Sequence, residues 1–381
     1  MRLPKSVPNP DLSVGPNNKQ RWNQPEHRRH GFHNAHLLFR RALMFRARTV
    51  LTLTKNGNHS DLGSIPEVAA LTSHPAFSAL VCARGDQILY ETCAEDFSTT
   101  HPHSIQSISK MHIHLIVGKL AGQGLLDLGK PVSYYLPDIG SGYATAPVQN
   151  LLDMNVANDF SEDYEDPQAG CYTEEIALGW RLPIGDAPEP TLREFANGIT
   201  GDNLTNQSGF ADYKSANTDV LTLICAKISP VPLSVLIENI VDAAGYEGSF
   251  QISASAEGLP AFSGGGCMSA EDLARFGLLI ARRGIGVDGK NVAARDFLDK
   301  SLTRSGVTLL PPRDWLRYSN HLMTDGRLVG HAGYGGQFLL VDMSTGISCA
   351  FLSVLLNESG YDSNYMTKVL NGLSAVLEAC Q

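Results

Sequence analysis

Two apolar runs, FSALVCA at residues 77–83 and QILYETC at 87–93, are separated only by Arg84, Gly85 and Asp86. Short apolar and β-branched runs around a tight glycine-containing turn predict a hairpin. The pattern returns near the other end of the chain, where GQFLLVDM and GISCAFLSVLL flank Ser344, Thr345 and Gly346. The last segment, NYMTKVLNGLSAVLEA, repeats apolar residues at three and four, the period of an amphipathic helix. Strand pairs from both chain ends can join one antiparallel sheet with the terminal helix on its face. The middle is different. Residues 126–265 show helical patches such as LREFANGI and NTDVLTLICAKI, with prolines and few alternating strands. After Gly264, Gly265 and Gly266, Ser269 stands three residues before Asp272 in the manner of a capping box, and SAEDLARFGLLIARRG runs to a stop at Gly284.

These patterns predict an α/β (α+β) chain. Residues 61–125 and 266–381 build a sheet domain flanked by helices, and 126–265 form a mostly helical inserted domain. A cleft between the two is where a small-molecule site is expected. Residues 1–60 form a basic arm and helix packed on the body. Within 33–54, Leu37, Leu38, Ala42 and Phe45 can share one helical face, and such an apolar helix is also able to serve a homodimer.

Charge sharpens this picture. The whole chain carries −9, but residues 1–55 carry +9, leaving −18 on the rest. An acidic body repels phosphates, which excludes nucleic acid as the partner of the main fold. The basic arm is expected to wrap that acidic body. No apolar run approaches the roughly 18–20 residues of a membrane helix, and the first residues lack the apolar core of a signal peptide. Seven widely spaced cysteines without a CxxC pair signal neither a disulfide framework nor zinc. A cytoplasmic protein without metal or cofactor is expected.

The sharpest chemical signal is Ser107-Ile108-Ser109-Lys110, opening the apolar stretch SISKMHIHLIVGKLAG. Residues three apart on a helix share a face, so the Ser107 hydroxyl and Lys110 amine can meet. A serine at a helix start also lies beside unpaired backbone N–H groups. A lysine made neutral by burial or by nearby positive charge can accept the serine proton. This is the only Ser-x-x-Lys in the chain, although such a match arises about as often by chance. Tyr213, in YKSANTDVL, stands near a lysine at the start of a helical run, where a phenol can shuttle protons. His331-Ala332-Gly333 opens HAGYGGQFLLVD just before a strand, where glycines allow close backbone approach and the Tyr334 N–H can face an oxyanion. His112 and His114 point about 200° apart on a helix and make no joint metal site. Glu162, Asp163, Glu165 and Asp166 read as a solvated or substrate-facing loop.

In this order the three motifs resemble the serine β-lactamase and penicillin-binding superfamily, with the nearest likeness to 6-aminohexanoate-dimer hydrolases of the class C-like group. RWNQPEHRRHGFHN is similar to that family's N-terminal arm, DFSEDYEDP with LGWR to its substrate loop, and YKSANTDVL to its second motif. The resemblance runs from about Trp22 onward. It implies a β-lactamase/transpeptidase-like fold and no cofactor. It implies Ser107 as nucleophile, Lys110 as its activating partner, Tyr213 as general acid/base, and the backbone N–H groups of Ser107 and Tyr334 as oxyanion hole. It further implies substrate contacts from Tyr164, Glu175, Ser215, His331 and Gly333. Ser215 replaces the usual Asn of class C enzymes and His331 the usual Lys, which argues against true β-lactamase action and fits hydrolysis of a small amide or ester. Two alternatives stay open: acyl transfer at the same site, and a catalytically silent ligand-binding relative.

Overall fold

The computed structural model describes residues 9–55, 57–185, 187–303 and 306–380, with the backbone alone for 57–60. Both sequence hairpins form. Phe77–Arg84 pairs antiparallel with Gln87–Cys93, and Gln337–Asp342 with Ile347–Ser353. Ile347–Ser353 then pairs with Phe77–Arg84, Cys349 opposite Cys82, so the two chain ends meet in the interior of a nine-stranded sheet. From that seam the sheet runs to Thr54–Lys55 on one side. On the other it runs through Leu328–Gly333, Leu322–Thr324 and Arg317–Ser319 to Val307–Thr308. Its ladders are antiparallel except the two-residue one between Thr54–Lys55 and Gln87–Cys93.

Side chains alternate across a strand. Ala79, Val81 and Ala83 join the core shared with helices Lys110–Gly122 and Ala270–Ala281, while Leu80 and Cys82 pack with Pro66–Thr72 and Ser363–Ala379. Both faces are therefore buried, which is why residues 77–83 read as an unbroken apolar run. The Ser269 side chain caps Ala270–Ala281 by accepting the Asp272 N–H, as its spacing predicts.

The second region carries helices Cys171–Ala177, Leu192–Asn197, Ser215–Ile228 and Leu233–Ala244. Few strands are expected there, and Ser249–Ser253 is one. It belongs to a second, four-stranded sheet ordered Ala42–Arg46, Ser249–Ser253, Gly266–Met268, His103–Ser104. The expected helix over 33–54 is thereby corrected. The chain makes helices Pro25–His33 and Ala35–Leu38, then strand Ala42–Arg46. Leu38 and Phe45 are buried and Met44 is exposed. Pairing with Ser249–Ser253 overrides the helical spacing of this short segment.

The basic arm lies on the acidic body. Arg29 pairs with Asp96 at 2.6 Å, Arg40 and Arg41 share Glu189, and Arg48 meets Asp242. Arg28 is fully buried and donates to the carbonyls of Asn23, Leu355, Asn357 and Glu358. Among the described residues no single helix is long and apolar enough to cross a membrane; Ser215–Ile228 and Leu233–Ala244 reach that length only together and meet at 104°. All seven cysteines are free.

Candidate active site

Strand His103–Ser104 hydrogen-bonds Gly266–Met268, and the chain then turns sharply. Gln106 takes φ +48°, the left-handed backbone that side-chain-bearing residues rarely adopt. Its amide donates to Ser104 Oγ at 2.7 Å, which fixes the turn. A 3-10 turn, Gln106–Ser109, leads into the α-helix Lys110–Gly122. Ser107 thus sits one tight turn ahead of the α-helix expected to begin at it, half-buried and open to the cleft.

Lys110 has no exposed surface. Its Nζ lies 3.2 Å from Ser107 Oγ and 2.8 Å from Ser215 Oγ, and it donates to the Ser263 carbonyl. Three acceptors match the three N–H bonds of an ammonium. The electrostatics agree. Burial pulls the Lys110 pKa down, but the Tyr213 oxygen and the carboxyls of Glu162 and Glu174 raise it by more, so it ends above the ordinary lysine value. The expected neutral lysine is therefore corrected: the resting amine is charged.

Tyr213 stands against this pair, with Lys110 Nζ 5.0 Å from its ring centroid. The phenol oxygen is enclosed without a well-aligned hydrogen bond. Burial raises its pKa above the usual tyrosine value, while the nearby Lys110 ammonium and Ser107 hydroxyl pull the other way and lose. At neutral pH the trio therefore holds all its protons.

Glu174 and Asp219 are both buried and act on each other electrostatically. Neighbouring buried carboxyls resist being ionised together. Burial foremost pushes Glu174 well above the carboxyl range and raises Asp219 as well, the Ser263 hydroxyl and the Lys110 ammonium pulling Asp219 back only in part. The Glu162 carboxylate accepts the Ser215 backbone N–H at 2.8 Å and so pins the start of helix Ser215–Ile228 beside Lys110.

The strand Leu328–Gly333 delivers the other wall. A Cβ on Gly333 would stand 2.7 Å from the Ile105 carbonyl, so only glycine lets this strand press on the turn that carries Ser107. Gly266 is similarly constrained: its N–H donates to Ser109 Oγ at 2.9 Å, and a Cβ there would meet that oxygen at 2.5 Å. Tyr334 follows Gly333, and both Ser107 and Tyr334 line two adjoining cavities. One, of about 420 Å³, is walled by Ala211, Tyr213, Leu309, Leu310, Met323 and Ala332. The other, of about 60 Å³, is lined by Trp22, Asn23, Glu174, Glu175, Trp180 and Ser215. Tyr164 borders both, its ring 5.2 Å from that of Tyr334.

Two candidates from the sequence sit differently from the rest. His331 lines neither cavity. Its Nδ1–H donates to the Ala332 carbonyl at 2.6 Å and its Nε2 accepts the Tyr318 hydroxyl. Burial holds its pKa down at about 3, so the ring is neutral and lies behind Tyr213, 6.2 Å between ring centroids. Glu175 does reach the small cavity, but its Oε2 already meets Arg181 at 3.3 Å and accepts from Gln20 at 3.1 Å, and burial raises its pKa to about 7. Sequence reasoning missed Trp22, Asn23, Leu309 and Arg313 as lining residues, and it placed Glu162 in a substrate-facing loop without foreseeing that its carboxylate pins Ser215. The Trp22 motif was visible, but nothing in it said which cavity it closes.

A serine hydrogen-bonded to a buried lysine lies beside an apolar cleft on a sheet flanked by helices, the arrangement that the resemblance to the serine β-lactamase and penicillin-binding superfamily implies. The chain belongs to the beta-lactamase family, whose sequence profile matches residues 67–364. The 6-aminohexanoate-dimer hydrolase of Paenarthrobacter ureafaciens is 30% identical over 234 residues, 60% of this chain and 58% of that protein. The match thus spans little more than half the length of that relative. In fold, a candidate 6-aminohexanoate-dimer hydrolase from Bacillus anthracis superposes with a TM-score of 0.80 over 96% of this chain and 97% of its own, at 18% identity. A D-stereospecific amidohydrolase from Streptomyces sp. gives 0.58 over 82% and 98%, at 17% identity.

Proposed function

We propose that the protein is a serine hydrolase that cleaves an amide or ester bond of a small molecule through an acyl-enzyme on Ser107. The observation that carries this reading is the 3.2 Å contact between Ser107 Oγ and the Nζ of a lysine with no exposed surface. A buried cation beside a half-open hydroxyl is costly to fold and gains its value from lowering the energy of a developing alkoxide.

The raised pKa values of Lys110 and Tyr213 set the order of events. The reactive form carries one proton fewer on this pair. As Ser107 Oγ bonds to the carbonyl carbon, its proton passes to the vacant position on the pair, and the C=O electron pair moves onto oxygen. The backbone N–H groups of Ser107 and Tyr334 stabilise that oxyanion. When the tetrahedral species collapses, the C–N or C–O bond breaks and Tyr213 returns the proton to the leaving group. Water then attacks the acyl-enzyme, with Tyr213 taking its proton and Ser107 recovering one. Ser215 holds the Lys110 amine, and Gly333 sets the distance between Tyr334 and Ser107. Tyr164 and Glu175 contact substrate from the walls of the cavities, and His331 supports Tyr213 through its ring. A neutral His331 supplies no cation for a lactam carboxylate, which favours plain amides and esters over β-lactams. Seven free cysteines fit a reducing cytoplasm.

Mixing the protein with excess p-nitrophenyl acetate tests this reading. A burst of p-nitrophenol near one equivalent, an acetyl adduct on the Ser107 peptide, and loss of both in Ser107→Ala are expected. An adduct elsewhere, or no burst with any activated ester, refutes it.

A further inference from the structure

Asn23 belongs to the N-terminal arm, 311 residues before Tyr334, yet the two side chains meet. The Tyr334 hydroxyl donates to Asn23 Oδ1 at 3.2 Å. The same oxygen accepts Arg28 Nε at 2.9 Å, from a buried guanidinium that can only donate. That settles which end of the Asn23 amide faces Tyr334. Burial pushes the Tyr334 pKa up to about 12, which keeps the phenol protonated and able to donate.

The rest of the arm closes on the same residue. Arg28 Cζ lies 5.6 Å from the centroid of the Tyr334 ring, and the Phe32 ring 6.1 Å from it. A Cβ on Gly335 would stand 2.6 Å from Phe32 Cε1, so the arm presses on the chain just past Tyr334. Arg28 also donates to the Leu355 and Asn357 carbonyls, and the Leu355 N–H donates to the Gly335 carbonyl at 2.8 Å. The backbone around the Tyr334 N–H is therefore gripped twice: at Gly333 by the turn before Ser107, and at Gly335 by the arm and the segment the arm ties down. What remains is the Tyr334 side chain, and Asn23 holds its far end.

Resting on the hydrolase reading above, we propose that Asn23 is a positioning residue for the oxyanion hole. It acts through the Tyr334 hydroxyl: it fixes the phenol ring and with it the direction of the Tyr334 N–H toward Ser107. The arm is then part of the catalytic centre as well as a cover on the acidic body. An oxyanion hole is loaded only as negative charge develops on the carbonyl oxygen, so loosening it lowers kcat and leaves substrate binding alone.

The test follows p-nitrophenyl acetate hydrolysis by the intact protein, with urea unfolding to show that each variant is folded. Tyr334→Phe keeps the backbone N–H and leaves the bond between Arg28 and Asn23 in place. It should lower kcat about 10-fold, less than the roughly 100-fold that a full ångström of misplacement costs, with KM within about threefold of wild type. Asn23→Ala should do the same. Because both act through one hydrogen bond, adding Tyr334→Phe to Asn23→Ala should cost less than about twofold more. Losses that multiply would mean that Asn23 acts apart from Tyr334, and they overturn the proposal. A change confined to KM would make Asn23 a substrate contact and overturns it too. So does a folded Tyr334→Phe enzyme with kcat within about twofold of wild type, a result that stands even where Asn23→Ala fails to fold. If the wild type cleaves no activated ester at all, the hydrolase reading falls and the positioning role with it.

Discussion

Replacing Gly333 by alanine isolates geometry from chemistry, because it removes no reactive group. The new Cβ would stand 2.7 Å from the Ile105 carbonyl oxygen and 3.2 Å from Gln106 Cβ, whereas ordinary contact begins near 3.4 Å. Strand Leu328–Gly333 and the turn before Ser107 must then part by about 0.7 Å. That strain costs about 1–3 kcal/mol of stability, the usual range for overpacking. It also moves the Tyr334 N–H away from Ser107. A misplacement of about 1 Å commonly costs about 100-fold in rate, so kcat on p-nitrophenyl acetate should fall about 10- to 100-fold. Urea unfolding followed by tryptophan fluorescence would show that the variant stays folded. A folded Gly333→Ala enzyme with kcat within about twofold of wild type would refute the idea that this close approach sets the oxyanion geometry.

Other residues give sharper chemical readouts. Tyr213→Phe should lower kcat by at least about 100-fold on an amide, the scale of lost acid–base catalysis, and by less on an activated ester whose leaving group needs no proton. Arg28→Met should cost about 1–3 kcal/mol in chemical unfolding, because it strands the buried carbonyls of Asn23 and Leu355 that the guanidinium now satisfies. An unchanged urea midpoint would mean that water reaches these groups.

Some parts of the molecule were legible from local pattern alone. The hairpins at 77–93 and 337–353 carry their turns and their apolar runs within a few residues, and so does the Ser269 cap. Ser107 and Lys110 were legible because one helical turn fixes their spacing. Tyr213 entered through a motif, and only the fold explains its place beside Lys110. The strand Ala42–Arg46 was not legible, since its pairing partner lies some two hundred residues away and its apolar spacing also fits a helix. The charge of Lys110 was missed for a similar reason. Burial was foreseeable from the apolar run around it, but the opposing carboxyls of Glu162 and Glu174 arrive from another part of the chain. Asn23 and Tyr334 come together only through the fold, and no period in the sequence encodes that meeting.

In the proposed mechanism Lys110 and Tyr213 together activate Ser107 after giving up one proton. Both pKa values lie above their ordinary positions, so the competent form grows as pH rises. The direct measurement is the rate of Ser107 phosphonylation by a fluorophosphonate from pH 6 to 10, followed by intact mass and peptide mapping. A single-proton rise through and above neutrality, and a rate at least about 100-fold lower in Lys110→Met, are expected. A flat profile with Lys110→Met labelling at the wild-type rate would contradict the claim.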